Sequence, residues 1–274
     1  MRQLIFALAI SFLSVVATFS QQLSTVAAPD RIPRHVKPAI RTSTSSGDTV
    51  ISQVADGGGW STVITIMNVG RVDGAFSLSC YGDDGNPIGF SWNIYGMSSG
   101  FSGNVFSNGM VEVSTTGTAA VTSQGWCYLD SSPSGTGDIA GFAIFRYAPT
   151  GQEVSVNAEA QLASSLTLAF DNTNGYSYGV ALVNSDNNLC GSASDQVSVT
   201  IRDNFGGKIG SGALSLASCG HTSFILADQF PATANQIGSV TFALTGGTTL
   251  SGLGLRASPS GSVTSVALVQ PLTN

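Results

Sequence analysis

Charged side chains are scarce in this chain. Only 9% of its 274 residues are Asp, Glu, Lys or Arg, and lysine occurs twice, as Lys37 and Lys208. From residue 51 onward the basic residues are Arg71, Arg146, Arg202, Lys208 and Arg256, set against fourteen acidic ones. So acidic a body has little to offer a phosphate backbone, which argues against nucleic acid as a partner. Histidine is equally sparse, at His35 and His221, which leaves few bases for hydrolytic chemistry. The four cysteines include no Cys-x-x-Cys pair, so a zinc site is disfavoured. Past residue 28 no long apolar run occurs, and no further membrane span is expected.

What the chain does contain is apolar residues, 42% of the total, in short runs broken by Gly, Ser, Thr and Asn. That is the texture of an all-β protein. At the start, Met1-Arg2-Gln3 carries a positive charge and Leu4 to Phe19 follows as an apolar and small-residue run. This pattern predicts a secretory signal peptide, with cleavage after Ser20 or after Ala28, the latter preferred, so residues 1–28 are assigned to it. Residues 29–48 hold Arg31, Arg34, Lys37 and Arg41 with three prolines and a Thr/Ser tract, and are expected to be an extended linker. Secreted or cell-surface localisation follows from the export signal.

The organising stretch is Asp56-Gly57-Gly58-Gly59-Trp60-Ser61-Thr62, a glycine corner feeding the apolar strand that ends at Asn68. A phosphate-cradling loop needs a helix after its glycines, whereas here a β-branched run follows. A second version appears as Asn174-Gly175-Tyr176-Ser177 leading to Asn184. Further along, Phe76, Leu78 and Cys80 alternate with Ser77 and Ser79, and Val197, Val199 and Ile201 repeat the pattern. The Asp83-Asp84-Gly85-Asn86-Pro87 turn has a counterpart in Asp203-Asn204-Phe205-Gly206-Gly207, and Gly141 to Gly151 in Gly252 to Gly261. The order is the same in both halves, which predicts a duplication: one β-sandwich over 49–162 and a second over 166–272. With export, the cysteines are expected to be oxidised, and the pairing that respects the repeat is Cys80 to Cys127 and Cys190 to Cys219.

Other local expectations concern single segments. Ser61 to Asn68, apolar on both faces, is expected inside a sheet, and Val154 to Leu162 as a regular strand with Glu159 on its polar face. Asp130 to Asp138 reads as a return loop. Phe224 to Pro231, with Ile225, Leu226 and Phe230 at helical spacing, predicts one or two helical turns. Trp60 and Tyr176 are expected as equivalent, partly buried aromatics pinning the glycine corners.

The glycine corner, the strand ending in Asn, the Asp-Asp-Gly-Asn-Pro turn and the Gly-x-Ala-x-Phe strand (Gly141, Ala143, Phe145) together resemble the tandem β-sandwich modules of bacterial exported proteins, particularly of acidobacterial type, whose function is unknown. The resemblance covers the chain from about residue 50 to its end. It implies two tandem antiparallel β-sandwich modules of Ig-like kind and brings no catalytic residues with it. The cysteines, Tyr176 in place of Trp60 and Gly254 in place of Ala143 depart from the usual pattern.

Chemistry-bearing constellations are few. His221 follows Cys219-Gly220 in a predicted turn, with no spacing that marks a triad, and Glu112, Glu153 and Glu159 read as solvated strand residues rather than a glycosidase pair. The paired aspartates of the Asp83 turn lack the alternating oxygen ligands of a calcium loop. No enzyme activity, cofactor or metal is expected. Two functions remain. The first is a structural or adhesive protein acting through surface and strand-edge contacts, with cell-surface or matrix components or other copies of itself as partners. The second is a glycan-binding module using exposed aromatics Trp92, Tyr95 and Phe101, set against the reading that the aromatics of Phe90 to Phe106 plug the open end of the first sandwich.

Overall fold

Alternation governs the backbone almost everywhere. Gly74–Tyr81 buries Phe76, Leu78 and Cys80 and leaves the residues between them half-exposed, as a strand with one core-facing side must. The structure is a computed structural model that describes residues 49–131, 138–159, 163–185, 190, 194–245 and 249–270. The expected signal peptide and linker, most of the Asp130 to Asp138 loop and residues 271–274 lie outside the described residues.

The first half comprises β1 (Thr49–Asp56), β2 (Trp60–Asn68), β3 (Gly74–Tyr81), β4 (Phe90–Trp92), β5 (Gly96–Ser98), β6 (Gly100–Val105), β7 (Met110–Ser114), β8 (Ser123–Asp130), β9 (Ile139–Tyr147) and β10 (Gln152–Asn157). They build two four-stranded sheets in the orders β1-β8-β3-β6 and β10-β9-β2-β7, with β4 and β5 as a separate hairpin. The second half comprises β11 (Ser165–Asp171), β12 (Ser177–Asn184), β13 (Asp195–Asp203), β14 (Lys208–Leu216), β15 (His221–Ile225), β16 (Ile237–Thr245), β17 (Leu250–Ala257) and β18 (Val263–Val266). Its sheets run β11-β16-β13-β14 and β15-β12-β17-β18. Every strand pairing is antiparallel. No sheet takes strands from both halves, and the orders match: β11 stands where β1 stands, β12 for β2, β13 for β3, β14 for β6, and β15 to β18 for β7 to β10.

Each half closes its own core. Ile51, Ile64, Ile66, Phe76, Leu78 and Leu129 fill the first, and Leu168, Leu182, Val197, Val199, Val240 and Phe242 the second. The interior position expected for Ser61 to Asn68 holds, since β2 lies between β9 and β7 with both faces largely buried. At the head of β2, Gly57, Gly58 and Gly59 have φ of 86°, 61° and 91°. A side chain at Gly57 or Gly58 would also overlap Val121 or Thr122 of the facing loop, so conformation and proximity both demand glycine. Asp56 fastens this corner, its buried carboxylate accepting from the N–H of Gly117 (2.8 Å) and of Ser91 (3.2 Å). Trp60 sits half-buried with its ring 4.6 Å from that of Tyr147, its cross-strand neighbour. Tyr176 is half-buried too, under the Arg256 guanidinium at 3.7 Å. At the other end of β2, Asn68 donates to the carbonyls of Val72 and Val105 and accepts from Gly70 N–H, which ends the strand in a fixed turn.

Two segments differ from expectation. Phe224 and Ile225 belong to β15, because they pair with Val180 and Gly179 of β12; only Leu226–Gln229 is α-helical, followed by a 3-10 turn at Pro231–Thr233. Leu226 and Phe230 still reach the core. The strand expected through Leu162 leaves its ladder at Asn157: Glu159 instead exchanges backbone hydrogen bonds with Val50 at the rim of β1 (3.0 and 2.9 Å), and residues 160–162 lie outside the described residues.

Both expected disulfides are present. Cys80 and Cys127 are direct cross-strand partners with Cα atoms 4.1 Å apart, and Cys190 and Cys219 lie 5.0 Å apart. Replacing Cys80 and Cys127 together by alanine is expected to lower stability by about 2–4 kcal/mol. Denaturant titration checks the size, and an unchanged midpoint contradicts it.

Candidate functional site

The aromatic set Trp92, Tyr95 and Phe101 divides between core and surface. Trp92 is 1% exposed, its indole N–H donates to Ser98 O (3.0 Å), and its ring meets Phe90 and Phe101 edge-on. It is therefore a core residue, and its ring face is not open to a sugar; this corrects the glycan-platform reading at Trp92 and agrees with the reading of these aromatics as a plug of the first sandwich. The reason is local: β4 and β5 form a hairpin whose turn carries Asn93 to Tyr95 outward, while Trp92 points into the first core. Phe101 is half-buried, and Tyr95, 40% exposed, stacks flat on it at 4.2 Å. Ile94 and Met97 project from the same hairpin.

The carboxylates are dispersed. Glu112, on β7, and Glu153, on β10, occupy opposite edges of one sheet, three strand spacings or about 14 Å apart across it and four residues apart along it. A glycosidase pair needs about 5–9.5 Å. Glu153 pairs with Arg146 across the strand at 2.7 Å. Asp84 is held below the ordinary carboxylate range by the side-chain and backbone N–H groups of Asn86, so the turn's own residues occupy its oxygens.

The densest gathering of polar groups is one that sequence reasoning missed, a seam between the two halves. His221 opens β15 with a side chain that is 0% exposed. Its Nδ1 lies 2.7 Å from Asp83 Oδ1 and its Nε2 2.8 Å from Gln53 Oε1, so both ring nitrogens are engaged. The other Asp83 oxygen accepts from Gln124 Nε2 (3.2 Å), and Gln124 Oε1 accepts from Ser223 (3.2 Å). Thus the Asp-Asp-Gly turn serves as more than a turn: it seats against the Cys219-Gly220-His221 corner so closely that a side chain at Gly85 would overlap the Ser218 carbonyl.

A second polar chain runs from Ser52 to Ser251 (2.9 Å) and from Ser251 Oγ to Glu159 Oε2 (3.3 Å). The solvated position expected for Glu159 is therefore corrected, because the chain has left β10 at Asn157 and crossed to the rim of β1, where Glu159 meets Ser251 of the second half. Burial pushes its carboxyl above the ordinary range, partly offset by the Ser251 hydroxyl and the Gly252 N–H. Apolar contacts accompany both chains. Val50 and Trp126 share a buried cluster with Val183 and Cys219, and the Trp126 N–H donates to Cys219 O at 2.8 Å. Phe145 and Val156 share another with Ala181 and Leu253. All described residues belong to one compact unit.

Chemically, this arrangement joins. The imidazole has neither solvent access nor a free nitrogen, and among the described residues no three His, Cys, Asp or Glu side chains form a metal-holding group. Nor is any described helix long and apolar enough to cross a membrane.

The Glu159 shift has a definite sign. An acid whose folded pKa lies above its unfolded one binds more protons when folded, so stability falls as pH rises through that window. Glu159→Gln is expected to flatten this fall, gaining stability relative to the parent as pH rises above the ordinary glutamate range of about 4.3 in denaturation series. A parallel pair of curves contradicts the burial account.

No protein-family model, curated protein or solved structure matches this chain.

Proposed function

We propose that the chain is an exported structural or adhesive protein, two tandem Ig-like β-sandwich modules derived from one unit, which acts through surface and strand-edge contacts and is not an enzyme. The observation that carries this reading is the employment of its chemistry-bearing side chains. His221, Asp83 and Glu159, the groups a hydrolase would present in a cleft, are spent in joining one half to the other. Export is supported by the leader pattern of residues 1–28 and by two disulfides, which are compatible with an oxidising, extracellular setting. The module reading is supported by the matching strand orders of the halves.

A rigid, weakly charged, small-residue surface favours main-chain pairing over side-chain insertion, since edge lysines that block such pairing are nearly lacking. Other copies of the chain, or cell-surface and matrix components, are the partners this surface fits. The stacked Tyr95 and Phe101 at the hairpin support a second reading, a glycan contact without Trp92. Light scattering of the chain lacking its leader, across a concentration series, is expected to show mass rising with concentration. A strictly monomeric protein that is retained on polysaccharide and released by Tyr95→Ala contradicts the first reading in favour of the second.

A further inference from the structure

We infer that β14 is the contact edge, and that it pairs antiparallel with β14 of a second copy about a two-fold axis at Ala213, merging two four-stranded sheets into one of eight strands. The inference rests on the strand-edge reading above and adds which edge and which partner.

Most of the other outer edges are occupied. The rim of β1 is hydrogen-bonded to Glu159 and that of β11 to Val269. The β10 and β18 edges are joined across the halves by Gln152 and Gly261. Beside β7, the β4 segment hydrogen-bonds to Ser114 and Thr116. β15 is short and lies at the seam, with Ser223 bonded to Gln124. Two edges stay open among the described residues, β6 with six residues and β14 with nine.

β14 is the longer of these, and it lacks the usual defences of an edge. A register slip at Ile209 separates Lys208 from the rest. From Gly210 to Leu216 the strand has no charge and no proline, where edge strands ordinarily carry one or the other.

Its sequence also fits itself. Gly210 and Gly212 face inward, toward Ala232 and the Phe230 ring, and Leu214 and Leu216 point into the same core. Ser211, Ala213 and Ser215 are on the exposed side. Directly opposed residues in an antiparallel pair share a face. With the axis at Ala213, Gly210 meets Leu216 of the second copy and Gly212 meets its Leu214, small against large at every inward position. On the outer face Ser211 meets Ser215, a pairing whose hydroxyls hydrogen-bond across strands, and no like charges oppose.

The test is sedimentation and light scattering of the full chain lacking its leader, as the parent and as Ala213→Lys, Ala213→Thr and Ser102→Lys, with circular dichroism to confirm folding. Ala213→Lys places two ammonium groups face to face at the axis and is expected to raise the concentration for half-association at least about tenfold, a loss of about 1.4 kcal/mol. Ala213→Thr, a good strand former, and Ser102→Lys, on β6, are expected to associate like the parent. Ala213→Cys supplies an independent reading. Opposed Cα atoms lie about 4.5–5.5 Å apart, within disulfide reach, so oxidation is expected to give a covalent dimer. If the parent associates but Ala213→Lys does so equally, or Ala213→Cys yields no covalent dimer, β14 is not the contact and strand-edge association stands. Dissociation by Ser102→Lys moves the contact to β6. A parent monomeric at every concentration removes both the inference and the reading beneath it.

Discussion

The contact on which the rest of the molecule depends is the seat of the Asp83 turn and Trp126 of the first half against the Cys219-Gly220-His221 corner of the second. Trp126 is fully buried and stacks on Tyr81 at 5.1 Å while its N–H finds the Cys219 carbonyl. Removing a buried indole of this kind costs roughly 3–5 kcal/mol, a large share of an ordinary domain's stability. The polar groups beside it are committed as firmly. A hydrogen bond contributes only about 0.5–1.5 kcal/mol net, but a buried group robbed of its partner costs about 1–3 kcal/mol. The His221 ring, with a partner on each nitrogen in the other half, therefore penalises any separation of the halves. The Cys190 to Cys219 bond holds the corner from behind.

This joint changes what two pairs of sheets with separate cores imply. Halves connected by a linker alone reorient freely; here β1, β8 and β10 of one half and β12, β15 and β17 of the other are locked through two apolar clusters and two polar chains. Burying His221 and the Glu159 carboxyl in such a contact also leaves an exterior rich in Ser, Thr, Gly and Asn. A surface of that kind has few charges with which to attract a ligand from a distance, and few with which to keep strand edges apart. The proposed mode of action, backbone pairing at an edge, is what remains available to it.

The strands were legible because period-two alternation is local: Phe76 to Cys80 and Val197 to Ile201 need no distant partner to declare a face. So were the glycine corner, whose positive φ angles are a property of three residues, and the disulfides, once the repeat limited the pairings. The seam was not legible. His221 bonds residues 138 and 168 positions away, and Ser251 lies 92 positions from Glu159, so no window of sequence contains the contact. Glu159 was misread because the alternation was carried past Asn157, where the strand leaves its ladder and a contact 92 positions away takes over. Trp92 shows a further limit: aromatics among Gly and Ser have no periodicity to sort inward from outward, and its burial follows from the hairpin that carries it. In Phe224 to Pro231 two readings competed, and pairing with β12 claimed Phe224 and Ile225 for a strand.

That the halves form one cooperative unit is the central claim, and calorimetry combined with tryptophan fluorescence tests it most directly. All three tryptophans, Trp60, Trp92 and Trp126, lie in the first half, so fluorescence reports that half while heat reports both. The account predicts one transition, with calorimetric and van't Hoff enthalpies in a ratio of about 1 and a coincident fluorescence midpoint. Two heat transitions, with the fluorescence change confined to one of them, would contradict it.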